Sequence, residues 1–591
     1  MVETLSQLFL NTLKTHVRPD LLAAKIDGEY VPISTEEYGR RVRHLSLGLA
    51  DLGLGAGDKL ILLSENRPEW TITDMAALCA GAITVPIYTS LMPEQIKYMI
   101  NDSDAKIVVC SNRNLWLKVE AVRSGLPKVR HFVLMDEEGP EGVLSLSEIA
   151  ARGKTVEAAD PGLFEKRALA IKPADVASII YTSGTTGIPK GAMLTHANFV
   201  ANTKSLDAVT DFSDKDTILS FLPLSHVLER MTTFSFLYKG AAIYYAESIE
   251  TVGENLLEVR PTIMISVPRV FDKIYAKVMD NVLEGSALKR KIFFWAVGVG
   301  KKYGARQIRH RSIPWGLEVR RGIAAKLVYG KIIEKTGGRV HFFVSGGAPL
   351  SADVAEFFYA IGITILEGYG LTETSPVLAC NTFDRMKFGT VGPPVPTVEI
   401  KIAPDGEIWA KGPNVMKGYY KREQETREAF QDGWFKTGDI GHIDEDGLLV
   451  VTDRKKDILV TAGGKNVAPQ PIENLLKTNP YIETAVVVGG GRKFISALIV
   501  PKFDKLEAYA RAQGIPFAGR KELVEREEIR SFMLAEVNRA TPNLASYERI
   551  KKIVLLDHDF DPDTEMTPSL KVKRHIVEKV FKPLIDLLYK D

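Results

Sequence analysis

The chain has 591 residues, of which 45% are hydrophobic and 25% charged, with a formal net charge of +2. This composition is typical of a globular protein with two or more domains and argues against a disordered or fibrous chain. Three widely spaced cysteines fit neither a disulfide framework nor a zinc site, and neither a secretory leader nor a membrane-spanning apolar run is evident, so we expect a cytoplasmic protein.

Helical and strand-like patterns alternate through the first half of the chain. Helical periodicity covers residues 38–52 and 72–82. Short apolar runs typical of buried strands cover residues 59–64, 106–110, 131–134 and 262–267. This alternation predicts an α/β fold with layered, mostly parallel sheets flanked by helices.

Residues 181–196, YTSGTTGIPKGAMLTH, follow a strand-like run at 176–181. A loop rich in glycine can surround an anion with backbone N–H groups, while its hydroxyls and Lys190 add donors and charge. The Walker A pattern G-x-x-x-x-G-K-(S/T) fails at Pro189, which has no N–H, and at Gly191, which replaces the metal-binding hydroxyl. The sequence therefore predicts a phosphate loop of another kind, or a plain turn between a strand and a helix beginning near His196.

Positive charge is concentrated in one segment, residues 289–339. It has 14 Lys or Arg against two acidic residues, which leaves 62 basic and 72 acidic residues elsewhere. Aromatic residues such as Trp295 and Trp315 are interleaved with these charges. The pattern fits a helix on an anionic membrane surface; a nucleic-acid contact or a solvated helix face with a core stripe are the alternatives.

Three further loops combine small residues with reactive side chains. LPLSH at 222–226 places His226 in an apolar turn, where a packed core histidine is the common explanation. SGGAPL at 345–350 follows a strand-like run and suits close approach of a flat ligand. GYGLTETSP at 368–376 brings together Tyr369, Thr372 and Glu373, whose ring, hydroxyl and carboxylate suit a purine, a phosphate oxygen and Mg²⁺.

After about residue 389 the strands become shorter, which predicts a compact β unit followed by a C-terminal α+β module. Asp439 in WFKTGD and Arg454 in DRKKD suit ribose hydroxyls. GGKNVAPQPIE at 463–473 predicts a glycine turn before a helix starting at Pro471. TPSLKVKR at 567–574 predicts a polar loop with a lysine. Each motif alone fits an ordinary turn or surface charge, but their order and spacing together are far more specific.

Together these motifs resemble the adenylate-forming (AMP-binding) superfamily, and within it the long-chain fatty-acid–CoA ligases. The resemblance covers nearly the whole chain, and includes SVPRVFDKI at 266–274. It implies the acyl-adenylate-forming fold: a large N-terminal domain, residues 1–455, with a small β subdomain at about 390–455, and a small mobile α+β domain, residues 456–591, that carries a catalytic lysine.

The resemblance implies a reaction in two steps. ATP and a carboxylic acid give an acyl-adenylate and pyrophosphate, and the thiol of coenzyme A then displaces AMP. ATP, Mg²⁺ and coenzyme A are the implied cofactors, and a long-chain fatty acid is the implied substrate. Peripheral contact with the cytoplasmic face of a membrane is expected through residues 289–339. Binding to nucleic acid is not expected. The oligomeric state is left open, with a homodimer among the alternatives.

The resemblance also implies roles for matching residues. Tyr369 is expected to stack on adenine, Thr372 to touch the α-phosphate, and Glu373, with Thr185, to hold Mg²⁺. Asp439 and Arg454 are expected to bind the ribose. The residues expected to hold the outer phosphates are Thr182, Ser183, Gly184, Thr185, Thr186, Gly187 and Lys190. Further contacts with the nucleotide and acyl group are expected at Gly346, Gly347, Ala348, Glu367, Gly368 and Gly370.

Four residues are implied in catalysis and conformational change. Lys571 matches the family's C-terminal lysine and is expected to bridge carboxylate and α-phosphate, although Leu570 replaces the glycine of many relatives and Lys573 is a rival. Lys456 is the expected hinge between domains. Gly464 is expected near the pantetheine tunnel, and His226 beside the acyl carbonyl and thiol path.

Substrate length is inferred from small residues. Gly370 matches a position where short-acyl relatives have tryptophan, so glycine is expected to leave room for a long chain. An aryl- or medium-chain acid–CoA ligase, a luciferase-like oxygenase and, less in keeping with the intact motifs, a non-catalytic lipid- or nucleotide-binding protein remain alternatives. An amino-acid-activating domain is disfavoured because no FDxS-like segment or carrier domain is present.

Overall fold

The structure is a computed structural model that describes residues 2–136, 139–182, 188–561, 564–566 and 572–590. Its larger part contains two eight-stranded sheets. In each of these sheets, five of the seven neighbouring strand pairs are parallel, and both antiparallel pairs involve strands at or next to an edge. The expectation of layered, mostly parallel sheets is confirmed.

Both sheets mix strands from distant parts of the chain. From one edge to the other, the first sheet comprises Val377–Cys380, Thr364–Gly370, Phe342–Ser345, Ile263–Ser266, Thr217–Ser220, Ala242–Tyr245, Leu22–Ile26 and Glu29–Ile33. From one edge to the other, the second sheet comprises Gly418–Tyr419, Lys190–Thr195, Val176–Thr182, Ile83–Ile87, Lys59–Leu63, Ala105–Cys110, His131–Leu134 and Leu144–Ser145.

Helices pack on these sheets along the whole N-terminal part. Their bounds are Leu5–Thr15, Thr35–Asp51, Pro68–Cys79, Pro93–Ser103, Arg113–Glu120, Leu146–Ala159, Leu163–Ala170, His196–Asp207, Val227–Lys239, Val252–Val259, Pro268–Leu283, Ala287–Gln307, Trp315–Ala324, Gly330–Glu334 and Ala352–Ala360. Short 3₁₀ turns occupy Arg123–Gly125 and Thr372–Thr374, and a π-helical turn occupies Ala325–Tyr329.

A smaller β unit follows. Its strands are Glu399–Ile402, Glu407–Lys411, Trp434–Ile443, Phe430–Gln431 and Leu449–Arg454, with one helix, Glu423–Ala429. The C-terminal module has a two-stranded ribbon, Leu459–Val460 with Asn466–Val467, and a sheet of Ile482–Val488, Ser496–Pro501 and Lys552–Leu555. Its helices are Pro469–Lys477, Phe503–Ala512, Arg520–Glu525, Glu527–Ala540, Arg574–Val580 and Lys582–Leu588.

The N-terminal part and the C-terminal module each have their own hydrophobic core. One large core draws its buried side chains from residues 5–435, and a separate core draws its own from residues 459–585. Cys79, Cys110 and Cys380 are buried thiols without disulfide partners. Among the described helices, none has the length and apolar character needed to cross a membrane.

Two local predictions need correction. The strand Lys190–Thr195, which the sequence analysis missed, pairs antiparallel with Val176–Thr182 and precedes the helix His196–Asp207. The loop between these strands is therefore a hairpin connection and does not lead directly into a helix. The helix expected to start at Pro471 starts two residues earlier, at Pro469. The N–H of Gln470, in its first turn, is satisfied by the Asp453 carboxylate.

A fully buried ion pair joins the layers of the N-terminal part. Arg230, on the helix Val227–Lys239 between two strands of the first sheet, donates from Nε and Nη2 to the Asp74 carboxylate at 3.0 and 2.6 Å. It also donates to the hydroxyls of Ser178 and Thr84, on strands of the second sheet, each at 2.5 Å. A desolvated guanidinium and carboxylate need such complete hydrogen bonding.

We expect Arg230→Met to destabilise the N-terminal part by about 3–5 kcal/mol, because it leaves Asp74 as a buried carboxylate without its cation. The measurement is the urea midpoint followed by intrinsic tryptophan fluorescence. Lys97→Met is the matched control: its pair with Glu94, at 3.4 Å, lies on the surface, so the change should stay within about 0.5 kcal/mol. Equal stability of the two variants would show that the buried pair is dispensable.

Candidate functional site

The predicted phosphate loop joins two strands of a β-hairpin. Thr182 and Lys190 lie opposite each other at the last pair of the ladder. Gly191 follows, and a Cβ atom there would lie 2.5 Å from Ile179 Cγ2 and 3.3 Å from the Tyr181 ring. Cross-strand packing therefore requires glycine where Walker A has a hydroxyl. The loop residues Ser183–Gly187 of the prediction, Thr185 included, lie outside the described residues.

Lys190 and Glu373 are linked by Tyr419, a residue that the sequence analysis missed. The short strand Gly418–Tyr419 pairs with Lys190–Thr195. The Tyr419 hydroxyl donates to Glu373 Oε1 at 2.9 Å, and Lys190 Nζ lies 5.5 Å from the centre of its ring. Burial, followed by the Glu373 charge, raises the pKa of Tyr419 well above its usual value, so the phenol stays protonated. The available signal was an aromatic pair, Tyr419 and Tyr420, directly after a glycine.

Glu373 suits a magnesium ion that is shared with a nucleotide. It lies with Thr372 in the turn Thr372–Thr374, and both side chains are partly exposed. Over the described part of the chain, no group of three or more His, Cys, Asp or Glu could hold a metal by itself. Mg²⁺ in proteins is commonly held by one or two carboxylates together with substrate phosphates, so this donor set fits the ion.

A second group lies beside it, at the β unit. Asp439 and Arg454 face each other on neighbouring antiparallel strands. Arg454 Nε lies 2.8 Å from Asp439 Oδ1, and the Tyr369 hydroxyl donates to Asp439 Oδ2 at 2.7 Å. The pKa of Arg454 is raised chiefly by Asp439, with a further contribution from Glu373. The structure thus brings together the predicted adenine, ribose and metal residues.

Glu367 lies under the SGGAPL loop. It is buried, and burial raises its pKa to about 8 although the N–H groups of Leu350 and Gly389 face its carboxyl group. Its immediate contacts are thus with the protein backbone. In the loop, Gly346 is buried whereas Gly347 and Ala348 are exposed. Gly368 is partly exposed on the same strand as Glu367.

Glycine at position 370 is explained by backbone packing and not by the expected room for a long acyl chain. A Cβ atom at this position would lie 1.8 Å from the carbonyl oxygen of Pro376. The return of the chain after the turn Thr372–Thr374 therefore excludes every side chain at Gly370 in this backbone. The absence of a side chain does not by itself indicate the length of the acyl chain.

His226 begins the helix Val227–Lys239. Its Nδ1 accepts the N–H of Leu228 at 3.2 Å, so a neutral imidazole carries its proton on Nε2. Leu228 in turn lies against the SGGAPL loop: its Cδ2 is 3.0 Å from where a Cβ of Gly346 would stand. The histidine and the glycine pair therefore belong to one packed region.

The remaining predicted residues lie at the junction with the C-terminal module. Lys456 is exposed between the strands Leu449–Arg454 and Leu459–Val460. Gly464 has a φ of +70° in the turn between Leu459–Val460 and Asn466–Val467, a conformation that favours glycine. Lys571 lies outside the described residues, whereas Lys573 Nζ donates to the Thr564 carbonyl at 3.2 Å.

Comparison with known proteins agrees with this arrangement. The AMP-binding enzyme family matches residues 14–420, and the AMP-binding enzyme C-terminal domain matches residues 456–591. The chain is 38% identical over 570 residues to long-chain-fatty-acid–CoA ligase FadD15 of Mycobacterium bovis, covering 95% of this chain and 93% of that protein. It is 30% identical over 625 residues to the peroxisomal long chain acyl-CoA synthetase 7 of Arabidopsis thaliana, covering 100% and 86%.

A solved structure supports the fold. The adenylation domain of a carboxylate reductase from Mycobacterium chelonae superposes with a TM-score of 0.75 at 24% identity, covering 100% of this chain and 91% of that one. With matches over both parts of the chain and a nucleotide-type site between its sheets and β unit, the protein belongs to the AMP-binding enzyme family.

Proposed function

We propose that this enzyme is a long-chain fatty-acid–CoA ligase, which forms an acyl-adenylate from ATP and a fatty acid and then transfers the acyl group to coenzyme A. The juxtaposition of Tyr369, Asp439 and Arg454 with Lys190 and Glu373 carries the proposal, because these side chains would offer adenosine and phosphate contacts in one place. The long-chain substrate is inferred from relatives that carry that name.

The nucleotide roles follow from the chemistry of each group. Tyr369 offers a ring to adenine, and Asp439 with Arg454 offers an acceptor and donors to the ribose hydroxyls. Thr182, Lys190 and the hairpin loop 183–187 would hold the outer phosphates. Glu373 would hold Mg²⁺, which when bound neutralises phosphate charge, and the Tyr419 hydroxyl would orient that carboxylate.

In the first step a carboxylate oxygen attacks the α-phosphorus, a new P–O bond forms, and pyrophosphate leaves. Two anions must approach, so positive charge at the phosphates lowers the barrier. Lys190 would offset charge on the departing pyrophosphate, and Lys571 would do so between the carboxylate and the α-phosphate. Thr372 would touch the α-phosphate.

In the second step the thiol sulfur of coenzyme A attacks the acyl carbonyl, the thioester C–S bond forms, and AMP leaves. We place His226 beside that carbonyl and Gly464 beside the pantetheine arm. A change in orientation of the C-terminal module about Lys456 would move Lys571 away from the reacting groups and bring Gly464 close to them. The separate cores of residues 5–435 and 459–585 support a domain boundary at 455/456.

We further propose a cytoplasmic location with peripheral membrane contact. An aryl or medium-chain acid is the alternative substrate.

The acid-dependent release of AMP tests the function. With ATP, Mg²⁺ and coenzyme A, we expect kcat/KM for palmitate to exceed that for octanoate and benzoate by about tenfold or more, because each buried methylene contributes about 0.8 kcal/mol. AMP release is measured with and without each acid. Release that no acid stimulates would contradict a ligase, and a preference for benzoate or octanoate would contradict the long-chain assignment.

Replacement of Lys571 separates the two steps. We expect Lys571→Ala to lower the rate of adenylate formation by about 10²–10³, as for the loss of one charged donor to a transition state. Thioester formation from supplied acyl-adenylate should be largely retained. Lys573→Ala is the control, since that ammonium contacts Thr564 in its own module. Equal loss of both steps in Lys571→Ala would contradict the assigned role.

Tyr419→Phe tests the orientation of the metal-binding carboxylate. The variant keeps the ring beside Lys190 but removes the hydrogen bond to Glu373. Because outer partners of metal ligands typically contribute 10–100-fold, we expect about tenfold or greater weakening of Mn²⁺ binding to the enzyme–ATP complex. Binding is read by electron paramagnetic resonance, which does not depend on turnover.

Tyr420→Phe is the matched control. Its hydroxyl also donates to a carboxylate, Asp104, at 3.1 Å, but lies away from Glu373. We expect unchanged Mn²⁺ binding in this variant and unchanged thioester formation from acyl-adenylate in both. A similar loss of Mn²⁺ affinity in the two variants would mean that Tyr419 acts only through general stability.

A further inference from the structure

A cavity lined by basic side chains lies where the helices Ala287–Gln307 and Trp315–Ala324 meet. Its volume is about 430 Å³. We call it the basic pocket, and its lining residues are Lys302, Ala305, Arg306, Arg309, Arg311, Pro314 and Leu317. Four of these seven lining residues are cationic and none is acidic, and the pocket is open to solvent.

These cations have little local compensation. Within the described residues, none of the four forms an ion pair with an acidic side chain at 4.0 Å or less. Arg306 donates to the carbonyl of Ser312 at 2.9 Å, which fixes it to the connecting loop without neutralising it. Arginine presents forked donors that match phosphate oxygens, and converging cations are stabilised when an anion lies between them. The chemistry of the pocket is that of a phosphate site.

An exposed apolar stripe begins at the rim of this pocket. We define it as Trp315, Val319, Ile323 and Leu327, which follow each other at intervals of four residues. They lie along one side of the helix Trp315–Ala324 and of the π-helical turn Ala325–Tyr329 that continues it. Trp315 is 81% exposed, and the other three are between 44% and 48% exposed. A run of large apolar side chains on a cationic helix is typical of segments that lie in the interface of a bilayer.

The pocket and the stripe are held on a rigid support. Gly300 and Gly304 of the longer helix pack so closely on the helix Ala352–Ala360 that Cβ atoms would lie 2.1 Å from Ala360 O and 2.7 Å from the Tyr359 ring. Lys301 pairs with Glu356 across the same contact at 2.6 Å. Because the helix Ala352–Ala360 directly follows the SGGAPL loop, the surface and the predicted acyl site share one packed unit.

We propose that the basic pocket binds the phosphate of an anionic phospholipid while the apolar stripe enters the outer part of the same leaflet. The inference rests on the proposed function, in which the substrate is a fatty acid that dissolves in membranes. Free phosphate would satisfy the pocket but leave the stripe in water. Nucleic acid would leave the stripe unused as well, so a bilayer is the partner that uses both features.

Vesicle binding by the full-length protein tests this inference. We expect sedimentation with mixed phosphatidylglycerol–phosphatidylcholine vesicles, little with pure phosphatidylcholine, and release by high salt. The pocket variant Arg309→Glu/Arg311→Glu and the stripe variant Trp315→Ser/Ile323→Ser should each bind about tenfold or more weakly. All four side chains are exposed, so the fold should tolerate these changes.

Lys166→Glu/Lys172→Glu is the matched control, with the same change in net charge at exposed residues in and just after the helix Leu163–Ala170. Weakening equal to that of the pocket variant would show that net charge alone acts. Equal binding to uncharged vesicles, or retained binding by either the pocket or the stripe variant, would overturn the proposal. So would inorganic phosphate or a DNA duplex binding at the pocket without any vesicle binding.

A soluble-substrate assay keeps this test apart from the proposed function. With octanoate and no vesicles, all these variants should release AMP at the rate of the unmodified enzyme. If no acid supports AMP release but vesicles still bind, the ligase assignment fails and the docking surface stands. If AMP release is normal and vesicles do not bind, the docking surface fails alone.

Discussion

The buried ion pair between Arg230 and Asp74 is the constraint on which the arrangement of the site depends. Arg230 belongs to the helix that His226 begins, and its hydrogen bond to Ser178 reaches the strand Val176–Thr182, which leads into the phosphate hairpin. One guanidinium therefore fixes the distance between two segments that would contact different parts of the reacting group. Rings of Trp70, Phe199 and Phe234 surround it at 5.4–5.8 Å, which excludes water from the pair. Without water as an alternative partner, only the geometry that makes all of these hydrogen bonds is stable.

The hairpin sets the electrostatics of the proposed phosphate site. In a Walker loop the positive end of a helix faces the anion, but here the helix His196–Asp207 begins only after the strand Lys190–Thr195, and its own cap, Thr195, accepts the N–H of Asn198. In the proposed phosphate site, positive charge would therefore come from side chains and from a metal ion. Lys190 lies over the ring of Tyr419 and Glu373 accepts a hydrogen bond from its hydroxyl, so a cation and a carboxylate contact the same side chain.

The sequence predicts this site where local pattern and local geometry agree. The apolar runs at 59–64, 106–110, 131–134, 176–181 and 262–267 match strands to within one residue, and small residues mark the loop of Gly346. The prediction for Tyr369 is wrong: it was expected in a loop, but it lies on the strand Thr364–Gly370 and pairs with Ala379. The strand Lys190–Thr195 was missed because a lysine and a glycine interrupt its pattern, although Gly191 is required by the partner strand. Tyr419 was missed because its contacts with Lys190 and Glu373 are tertiary. The start of the helix at Pro469 likewise depends on Asp453, which is distant in sequence.

At the junction of the two parts, the proposed ribose-binding residues lie next to contacts with the C-terminal module. Asp453 accepts the N–H of Gln470 in the C-terminal module at 2.9 Å, while the next residue, Arg454, faces Asp439. Across the interface Lys505 pairs with Asp280 at 2.9 Å, and Asp272, whose pKa burial raises to about 6, lies near Lys477 and Lys502. Partly exposed ion pairs contribute at most about 1 kcal/mol each. An interface held by such weak contacts can open without unfolding either core, as the proposed change of orientation about Lys456 requires.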